Sequence, residues 1–439
     1  MSSDSALWGS YLSLGLQALV PIAIGSFKSL KTPESTLAKR RANRKDKLLD
    51  EEDEDDEDET IEETLTWADS LLFPIFGSVA LLGLWAILKY VGKQWINLIL
   101  GVYFTGAGMF AVQSTFSSIA NFSLRTLGKT PTTYHIRISD GIKQVFHQPI
   151  TLPSLILLPI SILLPLLYIP LGRPYLLSNV LALSLSTATL ALLKLDSFFT
   201  AFLLLGVLLV YDIFWVFATP VMVTVAKGID APIKILSPKT SPFGQPKDFA
   251  MLGLGDIVVP GLVIALCLRY DLARHAKAHP ALEVTARSSF SKPYFSTGLI
   301  SYVIGLGATM VVMHTFKAAQ PALLYLSPAC TLGPLLLAVI KGEVKDLWTW
   351  TDGPTEEQCE KKLLDETIEA ASEVAMKARA EIKGGSNSNS APAAGSHEDG
   401  DGNDVGGEAI VIEDDSWMEG GVVAPDEGKP RKRKGGKRK

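Results

Sequence analysis

Two aspartates stand inside long apolar stretches of this 439-residue chain. Asp212 lies within a run of aliphatic and aromatic residues, and Asp256 closes the sequence Gly253-Leu254-Gly255-Asp256 in a second run. The apolar runs hold no Lys or Arg that could neutralise either acid. Two carboxyl groups without a cation can share one proton, so that one is ionised while the other stays protonated. Such a pair fits the general base and general acid of an aspartic protease, and it also fits a proton relay.

The residues beside these acids favour a site that a polypeptide backbone can enter. Gly253 and Gly255 leave no side chain next to Asp256, which lets another backbone approach closely. A third motif, Gln320-Pro321-Ala322-Leu323, opens the last apolar run. Pro321 has no N–H, so it loosens the start of a helix and frees nearby backbone groups to face a site. Each motif is common by itself, whereas the motifs in this order on separate runs are specific.

The elements that must position these residues are membrane-spanning helices. The chain is 47% hydrophobic and 20% charged. Its mean hydropathy of +0.24 already includes long polar segments, which excludes an ordinary soluble globular protein. About 20 apolar residues cross a bilayer, and runs of this length predict an all-α polytopic membrane protein with about nine transmembrane helices. The predicted spans are residues 7–27, 70–88, 95–120, 149–170, 175–193, 198–220, 249–268, 295–316 and 318–340.

The basic residues of the connecting segments predict the orientation of the chain. If the N-terminus is lumenal, the cytosolic segments before the tail hold eighteen Lys and Arg and the lumenal segments hold eight. An excess of these residues marks the cytosolic side, so we expect a lumenal N-terminus and a cytosolic C-terminus. Asp212 lies eight residues before Pro220, and Asp256 lies seven residues after Phe249. At 1.5 Å per residue, both acids are then roughly 10–12 Å below the lumenal end of adjacent antiparallel helices.

The same pattern predicts five parts of the chain. Residues 1–27 form the first transmembrane helix with a lumenal N-terminus, and residues 28–66 form a charged, disordered cytosolic loop. Residues 67–193 hold transmembrane helices two to five, and residues 194–347 hold helices six to nine with both aspartates. Residues 348–439 form a disordered cytosolic tail with a basic end, since their composition is too polar to bury a core.

At its motifs the chain resembles the presenilin-type GxGD intramembrane aspartyl proteases. Tyr211-Asp212, Gly253-Leu254-Gly255-Asp256 and Pro321-Ala322-Leu323 match the YD, GxGD and PAL motifs of that family. The longer stretches 211–227, 249–260 and 320–326 resemble its signal peptide peptidase branch. The likeness extends from about residue 67 to residue 347, and no catalytic motif position departs from the family pattern.

The resemblance implies an aspartic endopeptidase of the endoplasmic reticulum membrane that cleaves signal-peptide remnants and type II-oriented transmembrane helices within the bilayer. It assigns catalysis to Asp212 and Asp256. It also implies homo-oligomers and a link to membrane-protein quality control, and we expect no cofactor, no metal and no nucleic-acid partner. The residues expected to shape the site or bind substrate are Tyr211, Gly253, Leu254, Gly255, Gln320, Pro321, Ala322 and Leu323.

Two other functions fit the same acids. A proton-coupled transporter or channel could use the pair as a relay, although two repeated halves with broken helices are not visible in the sequence. A non-catalytic membrane chaperone would need the helices but not both aspartates. His275 and His279 have the spacing of metal ligands but no third ligand nearby, so we expect no metal site there.

One loop segment and two polar residues also carry expectations. Residues 233–236, followed by Pro238, are expected to form a short strand that pairs with an extended substrate by β-augmentation. Asn179 is expected to form hydrogen bonds between helices, and His314 to pack within its helix bundle.

Overall fold

The structure, a computed structural model, describes residues 3–33, 36, 63–90, 92–128, 132–140, 143–229, 231–239, 249–280, 284–285, 288–316 and 320–352. Most of this part of the chain is helical, as the composition predicts. In chain order the helices are α1 (Ser3–Lys28), α2 (Trp67–Tyr90), α3 (Lys93–Thr126), α4 (Leu152–Leu166), α5 (Tyr175–Leu192), α6 (Phe198–Phe217), α7 (Val221–Gly228), α8 (Gly255–Ala278), α9 (Pro293–Phe316), α10 (Leu323–Lys341) and α11 (Val344–Thr349).

Three two-stranded sheets accompany the helices, and of their strands the sequence predicts only the one at residues 233–236. They are the parallel pair β1 (Glu63–Leu65) and β4 (Leu193–Leu195), the antiparallel pair β2 (Thr133–Asp140) and β3 (Lys143–Thr151), and the antiparallel pair β5 (Lys234–Pro238) and β6 (Phe249–Gly253). The strands β1 and β4 have three residues each, too few to show a clear alternation of apolar and polar side chains.

Among the described residues, seven helices are long and apolar enough to cross a membrane: α1, α2, α3, α5, α6, α9 and α10. They coincide with seven of the predicted spans, so the helical, polytopic architecture is confirmed. The two remaining runs, 149–170 and 249–268, have a different structure. The total of nine spans stays a prediction.

The run 149–170 is not one continuous helix. Pro149 lies in strand β3, and α4 covers only 15 residues, which extend about 22 Å against roughly 30 Å of hydrocarbon. Pro159 and Pro165 lie inside α4, which ends at Leu166. Each proline removes a backbone N–H and crowds the preceding turn, which explains why the helix is short.

The run 249–268 begins as a strand and continues as a helix beyond its predicted end. Its first five residues form β6, and α8 extends to Ala278. Helix α8 lies at the centre of the packing, where it contacts α1, α5, α6, α9 and α10. Its side chains from Val259 to Leu272 are all buried. By contrast, α2 exposes Phe76 and Val79, as a surface against lipid tails does.

The predicted loop 28–66 and tail 348–439 lie mostly outside the described residues. At their described edges the chain is ordered, because β1 pairs with β4 and Thr351 forms a bridge with Ser197. The boundary that we predicted between residues 347 and 348 therefore lies inside α11, whereas the one between residues 66 and 67 lies between β1 and α2.

Candidate active site

Asp212 lies in helix α6 with its carboxylate against the start of helix α10. Its side chain is 7% exposed, and its Oδ2 accepts the backbone N–H of Leu323 at 3.3 Å. Leu323 is the first residue of α10, and N–H groups in the first turn of a helix have no intrahelical partner. Asp212 therefore caps α10 from a neighbouring helix, and the partial positive charge of that helix end stabilises a carboxylate.

The sequence Gln320-Pro321-Ala322-Leu323 explains why α10 begins where it does. Pro321 is buried, has a fixed φ and has no N–H to donate. The N–H of Leu324 bonds to the Pro321 carbonyl at 3.2 Å, which leaves the N–H of Leu323 for Asp212. The first residue of this motif is half-buried.

Asp256 lies in the first turn of helix α8, directly after strand β6. The N–H of Leu254 donates to the Ile233 carbonyl at 3.0 Å, and the N–H of Val258 already bonds back to Leu254 at 2.8 Å. The chain therefore passes from strand to helix at Leu254. Asp256 is half-buried, and its carboxylate accepts the backbone N–H of Gly253. A Cβ at Gly253 would lie 3.4 Å from Asp256 Oδ2, so a glycine leaves room for the carboxylate.

Helices α6 and α8 bring the two aspartates together. The helices pack against each other, and the carboxyl group of Asp256 lies within reach of the charge of Asp212. The ion pairs within the described residues are Arg269–Asp352 and Arg274–Glu343, so neither aspartate is paired with a cation there. Two adjacent carboxyl groups without a cation can hold one proton between them.

The other predicted site residues take different positions around this pair. Tyr211 is half-buried, and its hydroxyl is within hydrogen-bonding reach of Ser78, so its polar end faces α2. Leu254 packs against the main core. Gly255 is exposed, and nothing lies within 4 Å of the position that a Cβ would take there. The chain thus leaves open space directly beside Asp256.

The predicted strand at 233–236 exists as β5, but it does not have the free edge that we expected. One edge is paired with β6, with Ile235 opposite Leu252. On the other edge, the side chain of Asn179 bonds to both backbone groups of Leu236. A substrate strand therefore has no place on β5 at Leu236, and the expected pairing with β5 is wrong there.

Sequence reasoning missed Tyr302, which lies behind the pair on helix α9. Its side chain is fully buried, and its hydroxyl donates to the Asp256 carbonyl oxygen at 3.4 Å. A buried tyrosine hydroxyl needs a hydrogen-bond partner. A tyrosine within the apolar run 295–316 is therefore the sequence feature that indicates such a contact.

His275, His279 and His314 pack against other rings. His314 packs against the rings of Trp8 and Tyr11, with centroid distances of 5.6 Å and 6.2 Å. The rings of His275 and His279 lie 4.5 Å apart. Within the described part of the chain, no group of three or more possible ligands is placed to hold a metal ion.

Comparisons with known proteins show which family the chain resembles. A family model described as signal peptide peptidase matches residues 56–353. The signal peptide peptidase of Mus musculus is 34% identical over 375 residues, which cover 82% of this chain and 88% of that protein. The protein of the same name from Homo sapiens is 35% identical over 349 residues, which cover 78% and 83%.

A more distant likeness joins the chain to a solved presenilin family intramembrane aspartate protease. The alignment covers 75% of this chain and 99% of that one, at 15% identity and a TM-score of 0.38, which is too loose to place individual residues. The match to the signal peptide peptidase model spans both aspartate motifs and well over half of the chain. This chain belongs to the signal peptide peptidase family of multi-pass intramembrane aspartic endopeptidases.

Proposed function

We propose that Asp212 and Asp256 are the catalytic pair of this protease. The observation that carries the proposal is their placement on the packed helices α6 and α8, within reach of each other's charge and without a cation. In the hydrolysis, the ionised carboxyl takes a proton from a water molecule, and the oxygen of that water attacks the scissile carbonyl carbon. The protonated carboxyl gives its proton to the carbonyl oxygen, and a proton then passes to the leaving nitrogen as the peptide bond breaks.

The backbone around the pair supports each step. The N–H of Leu323 and the end of α10 stabilise negative charge on Asp212. The N–H of Gly253 bonds to Asp256. These donors are fixed by the helix start and the strand end, so the carboxyl groups keep their orientation while protons move between them and the substrate.

An extended substrate is proposed to pair with the outer edge of β6. In an antiparallel pair, backbone groups of alternate residues face the partner strand. Leu252 lies opposite Ile235 and Leu254 bonds to Ile233, so Met251 presents its backbone groups outward. Its side chain is 51% exposed. We expect Met251→Pro, which removes only an outward N–H, to reduce cleavage while β5 and β6 stay paired; unchanged turnover would exclude this edge.

The proposed substrates are signal-peptide remnants and type II-oriented transmembrane helices in the endoplasmic reticulum membrane. Support comes from the family and from the excess of Lys and Arg in the segments assigned to the cytosol. That excess assigns a lumenal N-terminus and a cytosolic C-terminus. Protease protection of tags at the two termini in sealed microsomes tests this orientation. Homo-oligomers and a quality-control partner are also proposed, and only the family resemblance supports them.

The test of the catalytic pair uses the purified full-length protein and a labelled signal peptide. Asp212→Asn and Asp256→Asn should each lower turnover by about 10²–10⁴-fold, because one carboxyl cannot serve as both acid and base. Asp271→Asn is the matched control, since it changes a buried aspartate in the C-terminal half of α8 and should keep cleavage. Substantial cleavage by either variant of the pair would show that the catalytic groups lie elsewhere.

A further inference from the structure

The side-chain amide of Asn179 stands in for a neighbouring strand on the outer edge of β5. Its Oδ1 accepts the N–H of Leu236 at 2.8 Å, and its Nδ2 donates to the Leu236 carbonyl at 2.7 Å. The same Nδ2 donates to Gln17 Oε1 at 3.2 Å. Asn179 is 7% exposed, so these bonds form out of water, where an unmade bond is costly. A carboxamide has one donor and one acceptor side by side, the pattern that a strand presents to its neighbour.

The phase of the β5–β6 pairing shows that these bonds do not compete with the sheet. The N–H of Leu254 bonds to the Ile233 carbonyl, so Ile233 and every second residue after it face β6. Leu236 and Pro238 therefore face away from β6. The Pro238 carbonyl accepts the hydroxyl of Ser10 at 2.6 Å. Side chains from α1 and α5 thus hold the edge of β5 that β6 does not use.

Strands β5 and β6 connect Asn179 to Asp256. Leu236 lies opposite Met251, and Gly253, two residues further along β6, bonds to Asp256. A pair of five-residue strands is weakly stable in isolation. A slip by one residue would turn the fully buried Ile235 to the opposite face. Asn179 fixes the strand in the register that the site requires.

We propose that Asn179 is a positioning residue for intramembrane proteolysis: its amide sets the register of β5 against β6 and so places Gly253 and Asp256. The effect on rate follows from the placement of Asp256. A second effect, on the bond that is cut, rests on the proposed pairing of substrate with β6. The two effects are measured separately.

The experiment compares three full-length single variants, and the double variant of Asn179→Ala and Leu236→Pro, with the wild-type protein. Asn179→Ala removes the amide, whereas Leu236→Pro removes the N–H that Asn179 accepts and leaves the bonds between β5 and β6. The matched control is Gln113→Ala, since Gln113 is a part-buried amide that bonds to the backbone and hydroxyl of Ser154 at 2.7 Å, away from β5. For each protein, kcat, KM, the melting temperature and the cut positions of a labelled signal peptide are measured.

We expect Asn179→Ala and Leu236→Pro to lower kcat by about ten- to a hundredfold, as small misplacements in active sites do. Both should also spread the cuts over neighbouring peptide bonds, and both should stay folded at the assay temperature. The double variant should lose little more than Asn179→Ala alone, because Leu236→Pro removes a bond that Asn179→Ala already removes. Gln113→Ala should keep the wild-type kcat and cut positions.

Two outcomes would overturn the proposal. In one, kcat and cut positions of both variants equal those of the wild type. In the other, activity is lost only in proportion to the fraction unfolded, which indicates a purely structural amide. If kcat falls while the cuts stay in place, Asn179 positions Asp256 but the pairing of substrate with β6 is wrong. Cleavage by wild type and not by Asp256→Asn in the same assay shows that the catalytic assignment itself holds.

Discussion

Gly255 shows how a single absent side chain can serve the reaction. Nothing lies within 4 Å of a Cβ built at Gly255, and the residue is exposed beside Asp256. Packing therefore does not require glycine at this position. If the open space admits the substrate backbone, a methyl group there obstructs the approach to the carboxyl groups.

We predict that Gly255→Ala keeps the melting temperature and lowers kcat/KM severalfold or more. The matched control is Gly261→Ala in the same helix, where a Cβ would lie 2.9 Å from Leu190 Cδ2 and 3.3 Å from Ile22 Cγ1. That crowding should destabilise the protein by about 1–3 kcal/mol. Cleavage and thermal unfolding measured on the same preparations separate the two effects. A wild-type rate for Gly255→Ala would mean that substrate does not pass this position.

At the residue scale, the sequence predicts the two aspartates of the site better than the buried charged residues that hold helix α8 in place. Asp212 and Asp256 are conspicuous because an ionisable group within an apolar run is costly. The predicted span 249–268 leaves out Arg269 and Asp271, because charge usually marks solvent, yet both are buried within α8, at 5% and 2% exposure. Their partners come from distant parts of the chain, and no local pattern announces such contacts.

At the element scale, Asp271 caps helix α9 from the C-terminal half of α8. Its carboxylate oxygens accept the N–H groups of Tyr294 at 3.3 Å and Phe295 at 2.9 Å. The burial of the group raises the pKa of Asp271 to about 6, although these two bonds and the charges of Lys341 and Arg274 oppose the rise. Asp271 lies beyond Leu268, where the apolar run of α8 ends.

The raised pKa gives a stability effect with a definite sign. An unperturbed aspartate titrates near 3.8, so at intermediate pH the folded protein holds a proton that the unfolded chain has lost. The stabilisation is complete below about pH 4, is lost as the pH rises through about 6, and amounts to about 3 kcal/mol at most.

Asp271→Asn cannot ionise, so we expect its melting temperature relative to wild type to rise between about pH 5 and about pH 7.5. The variant also loses one hydrogen-bond acceptor. This loss shifts its melting temperature equally at both pH values and does not change the trend. The comparison at matched pH removes the titration of other groups. A relative melting temperature that falls with rising pH would contradict the predicted effect of Asp271.

The elements themselves were predictable where their pattern is long. Seven helices of at least 18 residues follow from their hydrophobic runs. The strand β6 was assigned to a helix because five apolar residues before Asp256 look the same in either structure. Pairing with β5 decides between them, and that partner lies beyond the intervening residues 239–248. Asn179 joins helices α5 and α1 through Gln17, as the sequence predicts, whereas its bonds to Leu236 connect residues 57 positions apart and have no local signal.

At the scale of the whole molecule, three distant segments meet near the C-terminal end of α8. Arg269 forms an ion pair with Asp352 and donates to Ser29 Oγ and the Leu195 carbonyl, each at 3.3 Å. Ser29 follows α1, Leu195 ends β4, and Asp352 follows α11. Helix α8 carries Asp256 in its first turn. Near its other end it is therefore held by segments that precede it and by a segment that follows it in the sequence.

The segment just after α11 packs as part of the core rather than as a tail. Trp350 is 9% exposed and contacts the rings of Phe198 and Tyr270, with centroid distances of 5.9 Å and 5.2 Å. The N–H of Asp352 also bonds to the Asp196 carbonyl at 2.5 Å. Removal of this segment would expose an aromatic cluster and leave the guanidinium of Arg269 without its carboxylate.

We predict that a chain ending at Asp352 keeps its thermal stability and cleavage, whereas a chain ending at Thr349 loses both. Asp352→Asn alone should cost about 3–5 kcal/mol, because it leaves a buried charge unpaired. The comparison is Glu343→Gln, which breaks the ion pair with Arg274. The side chain of Glu343 is 23% exposed and that of Arg274 is 40% exposed. Solvent screens that pair, so its loss should cost about 1 kcal/mol or less beyond the bond from Tyr294.

Equal melting temperatures for the two truncated chains would show that Trp350 and Asp352 do not hold α8. A stable but inactive chain ending at Asp352 would instead place a functional contribution in residues 353–439.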